Sequence, residues 1–347
     1  MADRIRYLDL QLGTGANDGT TEANAYRTWG AVTAINVVTS GDDNYRLLVK
    51  NTSGTIDGPG SLGTGWTTDA SHRLIIEAND SYSAANGGRH EGLFGSGCRL
   101  RAGSFANALS RPASGPTHVT LVGLTFTAQD SNSNALLLIQ GAGTLAWEID
   151  GCIFQRSGGG VKVVDLTGTY SGTIKFRNCV IDGGGTQDSG IHVSSSGVTV
   201  YVNNCTIHDC GLGNFAGNVY EDVGTLNCKN VLCTTSSART LGADFGSSPT
   251  MLNCASRDST ATGTGAITGL TDMADLYEDE ANSDFRLKTT ANVYELGADL
   301  SADSNYAVTN DFLLVARTVP FDIGAHEKSV AVVAGISTRV LLLGVGR

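Results

Sequence analysis

Apolar and polar residues alternate in short runs along most of this chain. The alternation has a period of two, which is the period of a β-strand with one buried face. Most runs are followed by glycine, asparagine, aspartate or serine, the residues that tight turns prefer. The pattern therefore predicts many short strands joined by turns, and the clearest runs are 45–50, 73–77, 117–122, 145–149, 173–176 and 198–202.

Helical spacing is found near the start of the chain. Trp29, Val32 and Ile35 fall on one face of a helix, and Thr28 precedes them with a side chain suited to an N-cap. The sequence therefore predicts a short amphipathic helix that covers the open end of the first unit of the fold.

The predicted strands recur with a fixed period, which cysteine residues mark. From Cys152 onward the steps are 27, 26, 23 and 26 residues, and the wider gap before it has Leu124 near its middle. A period of this length indicates a repeat architecture. The series of equivalent positions is then Cys98, Leu124, Cys152, Cys179, Cys205, Cys228 and Cys254, with Asn178, Asn204, Asn227 and Asn253 before the last four.

Three short strands fit into each repeat. We therefore predict an all-β fold, a right-handed parallel β-helix (a solenoid) with a short N-terminal capping helix. Equivalent positions on stacked coils are neighbours inside such a solenoid, so we expect reduced cysteines packed as small apolar residues and asparagines bonded from coil to coil. The cysteine pairs 205/210 and 228/233 lack the C-x-x-C spacing of zinc or redox sites, and we expect no cofactor and no metal ion.

Two passages resemble the pectate-lyase-like superfamily of right-handed parallel β-helices. One is Asn17-Asp18-Gly19 followed by Trp29, and the other is Asp284-Phe285-Arg286-Leu287 followed by Asp322-Ile323-Gly324-Ala325-His326-Glu327, with His326 where tyrosine is usual. The resemblance covers roughly residues 7–327 and is specific for the fold. From the whole pattern we expect an N-terminal strand and capping helix in residues 1–40, a parallel β-helix in 41–328 and an apolar C-terminal tail in 329–347.

Composition and charge narrow the choice of partner. The chain of 347 residues has a net charge of −11 and no basic stripe, so we do not expect it to bind nucleic acid. The longest apolar stretch, 330–345, contains Arg339 and two glycines, and we expect no membrane span.

Acidic residues and a histidine supply the candidate chemistry. Enzymes of the superfamily carry clustered acids and bases, but signatures such as Asn-Thr-Asp, Gly-His-Gly and Arg-Ile-Lys are absent. The best catalytic candidates are Asp182, Asp188 and His192, with Asp209 one coil later. If Asp182 and Asp209 share a rung position, they lie about 5 Å apart, close enough to share a proton or to act as paired glycosidase acids. The simpler interpretation, which we favour, makes both of them turn aspartates and His192 a lone exposed surface residue.

The residues after Glu327 are too apolar for a free tail. Either they close the last coil or they bury against another subunit, and these two interpretations stay open. In the second case we expect a homo-oligomer, with a trimer favoured, whose interface residues are Val330, Val332, Val333, Ile336, Val340, Leu341, Leu342 and Leu343.

These features together favour a structural or adhesive phage virion protein without catalysis, such as a head decoration, a spike or a fibre. The first residues lack the apolar core of a signal peptide, so we expect assembly in the host cytoplasm, contact with other virion proteins and, in an adhesive role, contact with a surface glycan. The alternative is a polysaccharide-degrading enzyme on the same scaffold, and a third interpretation is a passive glycan-binding module.

Overall fold

The computed structural model describes most of the chain in atomic detail. The described residues are 2–12, 14–32, 34–41, 43–51, 60–103, 106–128, 134–156, 162–185, 189–211, 217–235, 243–271 and 273–328. They form an all-β solenoid of about 7 turns with very little helix, and the predicted right-handed parallel β-helix is confirmed.

A large parallel sheet forms one wall of the solenoid and continues around a corner. In spatial order its path is Arg4–Asp9, Tyr45–Lys50, Leu74–Ala78, His118–Val122, Leu137–Asp150, Val164–Arg177, Ile191–Asn203, Gly217–Lys229 and Ala243–Phe245. The strands Gly60–Ser61, Leu109–Arg111 and Thr250–Leu252 pair beside this path.

A small parallel sheet forms a separate wall. Its strands are Arg99–Ala102, Thr125–Ala128, Ile153–Gln155, Val180–Asp182, Thr206–His208, Leu232–Thr234 and Ala255–Ser256. An antiparallel pair joins Tyr277–Asp279 to Asp284–Leu287, and the described residues include the short helix Met273–Leu276. Single 3₁₀ turns lie at Glu22–Asn24, Trp29–Ala31, Ala84–Asn86 and Glu280–Asn282. Among the described residues no helix has the length and apolarity that a membrane crossing requires.

The number of strands per coil differs from the sequence-based expectation. Where two strands are expected, at 135–139 and 145–149, the structure has the single strand Leu137–Asp150. Its pairing with Val164–Arg177 continues without a break across the corner. Gly141 and Gly143 have φ values of 108° and 105° there, and these backbone conformations let the strand change direction while its hydrogen bonds persist.

Stacked side chains fill the interior of the solenoid. The strand register shows that one position of the predicted cysteine series is wrong. Thr206 pairs with Leu232, and Leu232 pairs with Ala255, so Val231 rather than Cys228 lies between Cys205 and Cys254. Cys228 belongs to the large sheet, where it pairs with Val202. All eight cysteines are free and buried, as predicted.

A tight turn precedes each strand of the small sheet, and it requires a left-handed backbone. Glycine occupies this position in the earlier coils and asparagine in the later ones, as Gly97, Gly123, Gly151, Asn178, Asn204, Asn230 and Asn253, with φ values between 47° and 73°. Asparagine is one of the few side chains that tolerates this conformation. Three of the four asparagines in the predicted series therefore occupy this turn, and the remaining one is Asn230 instead of Asn227.

The predicted N-terminal helix is wrong in extent. Thr28 is the N-cap and accepts a hydrogen bond from the Ala31 amide at 3.2 Å, but the helix is the single 3₁₀ turn Trp29–Ala31. Helical spacing of Trp29, Val32 and Ile35 did not predict the length of the helix, because the backbone is already extended at Val32. Trp29 still packs over the first coils, with Trp66, around an open cavity of about 260 Å³.

The C-terminal strap, residues 273–328, runs along the outside of the solenoid. Its apolar side chains Tyr277, Phe285, Phe312 and Ile323 pack on the outward row Ile153, Val180, Leu232 and Ala255 of the small sheet. Strap carbonyls also accept hydrogen bonds from the side-chain amides of the turn asparagines: Asn204 donates to Asp322 O at 3.3 Å, and Asn230 and Asn253 donate to Ala298 O and Leu296 O at 2.8 Å each. The asparagines thus bond largely to the strap, although the Asn230 amide also donates to Asn204 Oδ1 at 3.3 Å. The proposed domain limits at 1–40, 41–328 and 329–347 stay predictions.

Candidate functional site

Two outward clusters of ionisable side chains contain the residues that the sequence singled out. The first lies on the small sheet, where Asp182 pairs with His208 and His208 pairs with Thr234 in successive strands. The lateral neighbour of Asp182 is therefore His208. Asp209 follows in the turn, with a φ of 47°, so the two aspartates do not share a rung position.

The strap covers this first cluster. His208 Nε2 lies 3.1 Å from Glu280 Oε1 and 3.4 Å from Asp209 Oδ2. Its Nδ1 lies 2.8 Å from Thr234 Oγ1, which lies 2.8 Å from the hydroxyl of Tyr277 in the strap. The side chain of His208 is only 4% exposed, so the imidazole is enclosed between the sheet and the strap.

Asp182 takes part in the same contacts. Its Oδ2 accepts a hydrogen bond from Ser283 Oγ of the strap at 3.3 Å. Its Oδ1 accepts from the Gly184 amide at 2.9 Å, which is the local bond that the turn-aspartate interpretation expects. The carboxylate therefore has a structural use on both of its oxygens.

The electrostatics of the cluster favour a charged imidazole. Burial lowers the pKa of His208, but hydrogen bonds to Asp209 and Glu280 and the charges of Asp209 and Asp182 outweigh this effect and raise the pKa to about 9. Burial raises the pKa of Asp182 from its ordinary value, and the nearby charge of His208 reduces that rise. The cluster is thus an internal ion network that fastens the strap to the small sheet.

The second cluster lies on the outward face of the large sheet and centres on His192. Sequence analysis expects a lone exposed histidine there. His192 does point outward, but it is 6% exposed because two carboxylates enclose it. Its Nδ1 lies 2.9 Å from Asp165 Oδ1 and its Nε2 lies 2.8 Å from Asp222 Oδ2.

Strand pairing positions the second cluster. Leu138, Asp165, His192 and Tyr220 are lateral neighbours in four consecutive coils, and the rings of His192 and Tyr220 are parallel with centroids 5.9 Å apart. Lys162 Nζ lies 3.3 Å from Asp165 Oδ1. We call Lys162, Asp165, His192, Tyr220 and Asp222 the His192 cluster.

The sequence contained a signal for part of the His192 cluster. Asp165 follows Val164 just as His192 follows Ile191, one coil apart, so alignment of the coils places the two side chains together. Asp222 could not be found in this way, because the register shifts between Val193 and Ser194.

Other candidates lie outside what the structure describes. Asp188 falls in the undescribed stretch 186–188, and all eight candidate interface residues fall in 329–347. Within the described part of the chain, no group of three or more His, Cys, Asp or Glu side chains is arranged to hold a metal ion.

Comparison with known proteins gives a distant likeness in structure. No protein-family model matches the chain, and a comparison with curated proteins finds no match either. Among solved structures, the chain is similar to the pectate lyase Pel9A at 14% sequence identity with a TM-score of 0.34, over 95% of this chain and 97% of that chain.

Proposed function

We propose that this protein is a structural or adhesive component of a bacteriophage particle, in which the solenoid is a rigid body and the C-terminal residues attach it. One observation carries the non-catalytic part of the proposal. The ionisable groups that resemble catalytic acids and bases are committed to contacts within the chain. His208 and Asp182 lie beneath the strap, and both ring nitrogens of His192 are bonded to carboxylates.

A catalytic base needs a free position that can accept a substrate proton. His192 offers none while Asp165 and Asp222 hold both nitrogens, and His208 is enclosed. Side chains used in this way stabilise the solenoid and shape its surface. This is the behaviour expected of a particle component that resists unfolding while it exposes its outer faces.

The apolar residues 330–347 support attachment. Lys328, where the described chain ends, pairs with Glu278 on the outside of the solenoid at 2.6 Å. Apolar sequence of this density usually marks an interface with another subunit or another protein when it is not part of the chain's own core. We propose a homo-oligomer, a trimer in the simplest case.

Removal of residues 330–347 tests this proposal. The truncated protein should keep the β-sheet circular dichroism of the full chain, and light scattering should show the mass of a monomer where the full chain is oligomeric. A matched variant changes the eight candidate interface residues to serine and keeps the chain length. A full-length protein that is monomeric at all concentrations contradicts the attachment role, and neighbouring genes for sugar utilisation instead of capsid and tail proteins contradict the virion setting.

One observation favours a second function, polysaccharide cleavage. The carboxylates Asp165 and Asp222 flank an imidazole on the outward face of the large sheet, and paired carboxylates are the usual machinery of glycoside hydrolysis. Incubation with a panel of capsular and plant polysaccharides, with reducing ends as the readout, tests this function. Activity that Asp165→Asn and Asp222→Asn abolish but Asp150→Asn preserves would support cleavage over a purely structural role.

A further inference from the structure

A hollow next to the His192 cluster has the features of a small binding site. Its volume is about 180 Å³, and it is lined by Asn107, Asn134, Ala135, Leu138, Lys162 and Asp165. Sites for drug-sized ligands have volumes of roughly 300–1,000 Å³. The hollow therefore matches a smaller molecule, of the size of one sugar ring.

The walls of the hollow are fixed by buried contacts. Arg156 is 1% exposed, and its guanidinium donates to the carbonyls of Asn134 and Lys162 at 2.7 and 3.0 Å. The Asn134 amide donates to the carbonyl of Ala106 at 2.9 Å. These bonds tie together three segments that supply lining residues, and such preorganisation reduces the entropy that a ligand must overcome on binding.

The polar groups in the hollow are also held in place. Asp165 Oδ1 lies 2.9 Å from His192 Nδ1 and 3.3 Å from Lys162 Nζ. The role of His192 and Asp222 in this arrangement is therefore to orient Asp165. The ammonium and the carboxylate face the same hollow, where they offer hydrogen-bond donors and acceptors within one ligand's width.

One acceptor in the wall lacks a partner. Asn107 Oδ1 is buried and has no hydrogen bond within the described residues. A buried polar atom without a partner is energetically costly, and native structures rarely leave one unexplained. A ligand in the hollow can donate to this atom once the Asn107 side chain rotates toward it, and that bond would remove the cost.

We propose that the hollow binds one uncharged sugar unit of a glycan. Sugar hydroxyls both donate and accept, which matches two amides, one carboxylate and one ammonium, while Ala135 and Leu138 can contact the apolar face of the ring. The net charge of −11 and the carboxylate of Asp165 disfavour uronates and other acidic sugars. Successive coils are separated by about 4.8 Å, close to the length of one pyranose unit, so a glycan chain that leaves the hollow can continue over His192 and Tyr220.

This inference rests on the adhesive form of the proposed function, because it names the ligand class and the place of contact. Saturation-transfer NMR on the full-length protein tests it with D-glucose, D-galactose, D-mannose, N-acetyl-D-glucosamine and D-glucuronate as probes. At least one neutral sugar should bind more tightly than glucuronate. Asn107→Leu and Lys162→Met should each weaken that binding by about tenfold or more, since each removes a hydrogen-bonding group.

Two further variants keep the test decisive. Asn107→Asp keeps the shape of the side chain and an acceptor oxygen, so it should retain binding, while Lys175→Met removes an outward lysine of the same sheet that does not line the hollow. Binding that Lys175→Met and Asn107→Asp retain and that Asn107→Leu and Lys162→Met weaken supports the site. Absence of binding to every probe, equal effects of Lys175→Met and Lys162→Met, or preference for glucuronate overturns the proposal. Oligomerisation of the tail-deletion variant is measured separately, so failure of the sugar site and failure of the attachment role are distinguishable.

Discussion

Stability of the strap should depend on the charge of His208. The pKa of this imidazole is about 9 in the folded protein against about 6.5 in an unfolded chain. The folded state therefore binds the proton more tightly, and the resulting stabilisation is fully present below pH 6.5 and is lost as the pH rises through about 9. The difference in pKa corresponds to about 3 kcal/mol, a substantial part of the 5–15 kcal/mol that stabilises a typical domain.

Glu280→Gln is the perturbation that isolates the cause. Glu280 Oε1 lies 3.1 Å from His208 Nε2, and glutamine keeps the shape of the side chain while it removes the charge. The pKa of His208 should fall, and the loss of stability between pH 6.5 and 9 should shrink. Glu278→Gln is the matched control, because this carboxylate lies in the same strap but pairs with Lys328.

The assay combines a pH titration with unfolding. The Cε1 proton of His208 is followed by NMR in ¹³C-labelled protein, and the free energy of unfolding in urea is measured at pH 6.5 and 9. A His208 pKa at or below 6.5 in the native protein would refute the reasoning. Equal shifts in Glu280→Gln and Glu278→Gln would refute it as well, since a general charge effect would then explain the pKa.

Three further predictions concern the core, the turns and the strap. A thiol reagent should modify none of the eight cysteines in the native protein and all eight in denaturant, because each is buried. Asn204→Ala should lower the free energy of unfolding by about 1–2 kcal/mol, since alanine tolerates a φ of 48° poorly, and Asn204→Gly should lower it less; equal losses would contradict this. Arg317→Met should lower it by about 3–5 kcal/mol, because the guanidinium lies 3.1 Å from buried Glu327, and the double variant with Glu327→Gln should recover part of the loss in the same urea titration.

The local pattern of the sequence was sufficient to predict the fold. The cysteine spacing predicted the coil length, because stacked coils place equivalent residues at equivalent depths. The cysteine spacing gave a wrong assignment at Cys228, because Leu226-Asn227-Cys228 has the same Asn-Cys pair as the turns of the other coils. The passage Asn230-Val231-Leu232 three residues later is the true equivalent of Asn204-Cys205-Thr206. Either choice gives one step of 23 and one of 26 residues between Cys205 and Cys254, so spacing could not distinguish them.

The environment of the candidate site was harder to predict. The partners of His208 in the strap are more than 65 residues distant in sequence, and the alternation of strands contains no information about which segment folds over a sheet. His192 appeared isolated because its two partners are 27 and 30 residues away. A coil-by-coil alignment recovers the first of them, while the second depends on an irregularity of the register that the sequence does not show.

The strap also has a consequence for the order of folding during synthesis. Coils of a solenoid contact mainly their neighbours and can form one after another as the chain leaves the ribosome. The strap is translated after all of them, yet it covers Ile153, Val180 and Leu232. Until it arrives, a nascent chain exposes this apolar row, which is the kind of surface that chaperones bind and that leads to aggregation. Expression yield should therefore depend on prompt translation of the segment that encodes the strap, even though the last strand of the small sheet already ends at Ser256.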